Sequence, residues 1–427
     1  MQNETFHSLE EIIHKNDYLS KNSQYNANLD LEPFRFFQKL NPKNDSRSKI
    51  FPAAVPTLIS GASDCSNCFY GLQLDTYMFG CTHDCIYCWA KTELTMVNQW
   101  NNPMPIPIDI VSLWDVLYTV FETQNYHPLR KLIEKRVPLR IGSMSDPFLG
   151  METKYKITSQ VLSLLKFYNY PVLILTRSKM ASDDEYIALY DSHRVSIQYS
   201  IPSQNEEYIK ILEPGTSSAS ERLKSLQKLM ENKIWSSVRI NPLFPCFKDG
   251  FLSNGNNYDQ KEIKFNFFNL DLIESIAKHG CKSLLVGFAH MNENTIVEIK
   301  NKIGIDLKEL MKDELKLKSK NLVYSSEEIR KYYELIHSEC KKYNIEFSTC
   351  YLGLGDNLFY RDQDLWADKD DCCNVKKHVQ QFNNTTSDIS NLEKIRIISP
   401  HSGQLKQLSS SLLIDLKTYI LKKIWNK

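Results

Sequence analysis

No stretch of this sequence is apolar for long enough to cross a bilayer, and its opening, MQNETFHSLEEIIHKND, lacks the uninterrupted apolar core of a secretory signal. These absences predict a protein that stays in the cytoplasm and does not partner a membrane. An excess of one charge is missing too: 52 Lys and Arg stand against 51 Asp and Glu, a net charge of +1. The balance excludes a global attraction to nucleic acid or to a lipid surface and leaves only local patches open. There is no internal repeat and no long low-complexity run. What the chain does have is length and thiols. Its 427 residues exceed the size at which a single core usually stops growing, so one large domain with additions, or two domains, is expected. Eleven cysteines in a reducing compartment read as metal ligands or reactive thiols before disulfides.

From about residue 72 to 290, short β-rich runs alternate with amphipathic helical runs. The strand candidates are LQLDTYMF (72–79), PLRIGSMS (138–145), PVLILTRS (171–178), RVSIQYSI (194–201), SSVRINPL (236–243) and KSLLVGFA (282–289). Between them, KITSQVLSLLKFY, SASERLKSLQKLMEN and LDLIESIAKHG carry apolar residues every three or four positions. Strands separated by single helices imply right-handed βαβ units and a parallel sheet. The fold class expected is therefore α/β, a partial (β/α)6 barrel over 71–290. Residues 1–70 form an N-terminal extension with a helix that wraps the barrel. A charged helical segment and a candidate metal-site region follow over 291–382, with IEFSTCYL (345–352) strand-like within it. A linker and a C-terminal helix take up 383–427; the helix is expected to dock its Leu412, Leu416, Ile420 and Ile424 face on the body, a membrane-surface helix being the alternative.

GCTHDCIYCWA, residues 80–90, falls in the loop after the first strand, and in parallel barrels ligands sit beyond the carboxyl ends of the strands. Cys81, Cys85 and Cys88 are spaced to share one 4Fe-4S cube, with Gly80 permitting the sharp exit from the strand. Three thiolates leave one iron without a protein ligand. An open position is what a catalytic metal site keeps and a structural site closes. The residues alone also admit a zinc loop that borrows a distant ligand, with His83 the nearest nitrogen donor.

With Tyr87 just before its last cysteine, the loop resembles the radical S-adenosylmethionine (SAM) superfamily, whose signature is C-x3-C-x2-C with an aromatic at that position. The resemblance implies a 4Fe-4S cluster on Cys81, Cys85 and Cys88, SAM chelated to the open iron, and Tyr87 near the adenine. It implies one-electron cleavage of SAM to a 5′-deoxyadenosyl radical that abstracts a substrate hydrogen, and hence a reductant partner such as flavodoxin or ferredoxin. Four more stretches resemble the spore photoproduct lyase-like branch: GSMSDPF (142–148), ILTRS (174–178), QYSIPS (198–203) with LEPGTSSASERL (212–223), and INPLFP (240–245). By match of position, Ser143 and Ser145 approach the methionine end of SAM, and Arg177 and Ser200 its carboxylate and ribose. Asp146 and Asn241 follow as SAM or substrate contacts. Where that branch commonly has lysine this chain has Arg177, which keeps the charge but presents a planar fork. Read without the resemblance, the serines are small residues packing strand ends, and Asp146 before Pro147 begins a turn.

Cys65 and Cys68 in DCSNC, with Cys350, Cys372 and Cys373 far downstream, predict a closed second site holding a 4Fe-4S cluster or zinc. Such a site would staple the two edges of the open barrel, with one of the adjacent pair spare. Cys281 and Cys340 read as core. Cys246, after the fifth strand, and Tyr351 become candidates, through the resemblance, for returning a hydrogen atom to a substrate radical. The same resemblance puts nucleic acid first as substrate class, although KNKIG, KLKSK and LKKIWNK are diluted by acids. The competing class is a zinc- or cluster-stabilised module that binds nucleic acid or protein without catalysis.

Overall fold

Each apolar run in this chain buries one face on its neighbour, and the alternation of strand and helix stacks those faces into layers. The computed structural model describes residues 59–60, 69–70, 72–96, 100, 105–108, 110–127, 129–244, 267–310, 313–315, 321–350 and 362–383. The expected N- and C-terminal helices and Cys65, Cys68, Cys246 and Tyr351 lie outside them.

One sheet dominates. Its strands lie side by side in chain order: β1 (Ile59–Ser60), β2 (Leu72–Leu74), β3 (Leu139–Ile141), β4 (Val172–Thr176), β5 (Val195–Ser200), β6 (Trp235–Leu243), β7 (Ser283–Phe288) and β8 (Glu346–Thr349). Only β1 is antiparallel, pairing Ile59 with Gln73; β2 to β8 are parallel throughout. Helices α1 (Trp89–Met96), α2 (Ile110–Glu122), α3 (Ile157–Phe167), α4 (Ala219–Glu231), α5 (Asp271–Lys278) and α6 (Ser326–Lys342) are the main connections. The fold class is as expected, and a seventh parallel strand joins the six of the expected barrel, inside the strand-like IEFSTCYL. That strand, β8, sets Glu346 opposite Ser283 and Thr349 opposite Val286.

The rhythm was hidden between β7 and β8. A small antiparallel sheet of His290–Met291, Asp313–Leu315 and Asn321–Val323 interrupts it, inside a region expected to be helical. Strands of two or three residues are too short to show a period of two. The first expected strand, 72–79, is likewise broken, ending at Leu74 before a separate Tyr77–Met78 that pairs with Ile106–Pro107.

Side chains alternate across each strand. Leu72, Ile141, Ile174, Ile197, Ile240 and Val286 face the helices in the main core. The other face carries Gln73, Arg140, Gln198 and Arg239, a polar composition unusual for a parallel sheet covered on both sides. At its amino ends this face is stoppered by residues 362–383. There the His378 ring stacks on Trp235 with centroids 3.6 Å apart, Gln381 N donates to His193 O at 3.0 Å, and Ala367 N to Phe347 O at 2.8 Å. Tyr70, Leu173, Leu285, Trp366, Val375 and Phe382 form one buried cluster. A sheet whose early and late strands touch the same cluster must curl around it, and this curl makes the partial barrel.

Candidate active site at the strand carboxyl ends

The cysteine loop leaves the sheet after β2 and ends in α1. Phe79 (φ 63°) and Asp84 (φ 46°) take the left-handed conformations that turn it, so the exit assigned to Gly80 is made one residue earlier by a residue with a side chain. Asp84 N donates to Cys81 O at 3.4 Å and Cys88 N to Cys85 O at 3.2 Å, winding the three thiols into two successive turns. Cys85 is buried, and Cys81 and Cys88 are half-buried. The Cys88 sulfur accepts from Lys91 N at 3.4 Å in the first turn of α1, where the helix dipole favours a thiolate. Burial pushes the Cys81 thiol up to about 12 and raises Cys85 and Cys88; ionised Cys88 adds to the rise at both neighbours. Metal binding removes those protons. Among the described residues no three His, Cys, Asp or Glu side chains converge on a single ion. A cube spreads its thiolates over separate irons and makes a different demand from one tetrahedral zinc.

The loop is pinned from the LEPGTSSASERL stretch. Ile86 N donates to Leu212 O at 2.9 Å and Gly215 N to His83 O at 3.0 Å. A Cβ on Gly215 would stand 2.2 Å from Thr82 O, so only glycine allows the approach. Next to it, Glu213 is fully buried and accepts from the Tyr87 hydroxyl, from Arg177 Nε at 3.1 Å and from Arg222 Nη2 at 2.5 Å. Burial alone would raise its carboxyl, but Arg222 and Arg177 pull it down to about 2. Arg222, itself fully buried, also donates to Ser200 O and to Ser217 O, each at 2.8 Å. Neither Glu213 nor Arg222 was singled out from the sequence; the available signal was an acid and a base nine residues apart within one motif. His83 is buried with Nδ1 3.4 Å from Asp146 Oδ2, and burial lowers its pKa.

The remaining candidates stand at the carboxyl ends of β3 to β6. Gly142 (φ +91°) begins the loop that carries Ser143, Ser145 and Asp146; a Cβ there would lie 2.3 Å from Leu175 O. Asp75, after β2, fixes this loop by accepting from Met144 N at 3.0 Å and Ser145 N at 3.3 Å, and burial raises its carboxyl to about 6. Asp146 accepts from Phe148 N at 2.9 Å, the turn anticipated before Pro147, and also from Thr176 Oγ1 at 2.9 Å and Arg177 N at 2.6 Å. It therefore ties the ends of β3 and β4 together. Ser143 Oγ accepts from Arg140 Nε at 3.0 Å, whereas Ser145 Oγ is buried without a partner. The Asn241 carbonyl takes Ser200 Oγ at 3.1 Å and Arg177 Nη2 at 3.2 Å, which brings those three residues together. Tyr87 turns its hydroxyl to Glu213 and packs its ring edge-on to Phe244, with centroids 5.3 Å apart.

Of the second cysteine group, Cys372 and Cys373 lie in the buried cluster on the inner face of the sheet, and Cys350, which follows the last residue of β8, packs against it. Cys281 and Cys340 are buried in the main core.

A thiol-bearing loop at the mouth of an open parallel barrel, faced by hydroxyl, amide and guanidinium groups from four successive strand ends, defines the class. No protein-family profile matches the chain. Uncharacterized proteins of Mycobacterium tuberculosis and Mycobacterium bovis are 22% identical over 218 residues, 51% of this chain and 58% of theirs. The chain thus spans 58% of the length of these curated relatives. Among solved structures, a spore photoproduct lyase variant with bound AdoMet and dinucleoside spore photoproduct gives a TM-score of 0.48 at 14% identity, covering 80% of this chain and 94% of that one. Spore photoproduct lyase complexed with the dinucleoside gives 0.47 at 15%, covering 65% and 76%. Streptococcus suis SuiB bound to S-adenosylmethionine gives 0.37 at 9%, covering 65% and 51%. At such identities and scores no function is carried over.

Proposed function

We propose that this chain is a radical SAM enzyme. The observation that carries the reading is the placement of Cys81, Cys85 and Cys88 in one pinned loop at the carboxyl end of the first parallel strand, close enough for one ionised thiol to act on another. The donor set suits the cofactors: three thiols for three irons of a cube, and Ser145 Oγ buried without a partner on the facing loop. When bound, the cluster and SAM supply a one-electron cleavage that yields a 5′-deoxyadenosyl radical for hydrogen abstraction.

The chain's own share is binding, orientation and exclusion of water. Cys81, Cys85 and Cys88 hold the cluster. Ser143 and Ser145 serve the methionine end of SAM, Arg177 and Ser200 its carboxylate and ribose, with Asn241, Asp146 and Tyr87 completing the wall. Phe244 and Phe267, both fully buried, close the site around the Tyr87 ring and keep water from it. Cys246 and Tyr351 remain the candidates for returning a hydrogen atom. A low-potential carrier such as flavodoxin or ferredoxin supplies the electron, and nucleic acid is the substrate class to test first.

Anaerobic reconstitution with iron and sulfide, followed by dithionite and SAM, tests the reading. Formation of 5′-deoxyadenosine is expected. Tight zinc with no SAM turnover would instead establish the non-catalytic binding module.

A further inference from the structure

Among the described residues, Arg239 is a buried cation with no acid beside it. It lies on the inner face of β6, two residues before Asn241, and is 7% exposed. Nη1 donates to Gln198 Oε1 at 2.8 Å and Nη2 to Cys350 Sγ at 3.3 Å, and no carboxylate pairs with it among the described residues. Arginine does not give up its proton, so an uncompensated guanidinium in this position is expensive and calls for an anion.

The groups around it are sulfurs. Cys350, Cys372 and Cys373 belong to one buried cluster with Tyr70 and Trp366. Cys372 and Cys373 ride on the segment that stoppers the barrel. Asp371 anchors that segment, accepting from Tyr70 Oη and Cys373 N at 2.8 and 2.9 Å and from Val375 N at 2.6 Å. Gln198 Nε2 and Ser237 Oγ, on the same inner face, are buried without partners.

We propose that Cys350, Cys372 and Cys373 hold a second iron–sulfur cluster inside the barrel, with Arg239 as its counter-charge. The charges balance. A cubane core carrying two positive charges on three thiolates has one net negative charge, which is what one guanidinium cancels. A single zinc ion would need the three sulfurs to converge, and no such group exists among the described residues. The centre would lie on the inner face of the sheet beside Arg239, with Cys350 at the carboxyl end of β8. It does not depend on the catalytic reading, because its test begins by removing that loop's thiols.

The full chain carrying C81S, C85S and C88S, reconstituted anaerobically, should retain about four irons and a matching amount of sulfide. Adding C350S and C373S should bring both to background. In the chain with the catalytic triplet intact, C350S/C373S should lower iron from about eight to about four, and the retained cluster shows that the fold survives. Arg239→Met in the C81S/C85S/C88S background should move the cluster's midpoint potential to more negative values, since a positive charge that favours the reduced state is gone. An iron-free C81S/C85S/C88S chain, zinc in place of iron, or iron that survives C350S/C373S in that background would each overturn the assignment. So would a potential unmoved by Arg239→Met.

Discussion

Glu213 shows how much one carboxylate holds together. It neutralises Arg222, orients Arg177 and fixes the ring that precedes the last cysteine of the loop. Glu213→Gln leaves Arg222 fully buried without its counter-charge, and removing one partner of such a pair should cost about 3–5 kcal/mol in urea unfolding. The effect has a pH signature. An unfolded glutamate titrates near about 4.3, whereas folded Glu213 does so at about 2. Between these values the unfolded chain binds the extra proton, so Glu213's contribution is complete above the unfolded value and vanishes as pH falls through the folded one. Thermal melts of wild type and Glu213→Gln should therefore converge over that acid interval; a constant gap would contradict the assignment. Cys81, Cys85 and Cys88 were legible in the sequence because their partners lie within eight positions. Glu213 was not, because its hydroxyl partner Tyr87 is 126 positions away.

At the scale of elements, what the sequence announced were the strands long enough to show a period. β4, β5 and β7 fall inside the expected runs and β6 begins one residue before its own, while α3, α4 and α5 lie within theirs. The short strands of the small antiparallel sheet, His290–Met291, Asp313–Leu315 and Asn321–Val323, were not announced, because pairing with a neighbour, and not local pattern, defines them. Two substitutions separate local stability from site geometry. Ser218 caps α4 in a complete capping box with Glu221. Ser218→Ala should cost about 1 kcal/mol and leave the iron content of the reconstituted chain unchanged. Gly215→Ala should do the reverse of that second result, driving a methyl group into Thr82 O, displacing the cysteine loop and lowering iron incorporation. Equal iron in Gly215→Ala and wild type would show that the loop yields without loss.

For the molecule as a whole, residues 362–383 do more than their sequence announced. They belong to the stretch expected to hold a helical segment and the second cysteine group, and they carry only short 3-10 turns and bury themselves against the inner face of the sheet. Trp366 is the largest side chain they contribute. It is 5% exposed, with Nε1 donating to Thr349 Oγ1 at 2.7 Å. Trp366→Ala should destabilise the chain by about 3–5 kcal/mol, read as a shift of the denaturant midpoint in a single cooperative transition. A separate early transition would mean that this segment is an independent appendage and not part of the core.

A barrel filled at one end is loaded from the other. Within the described residues, Val375, Val379 and Phe382 are buried on the inner face towards the strands' amino ends, which leaves the carboxyl ends, where the cysteine loop lies, as the side from which a visiting molecule would meet Ser200 and Asn241.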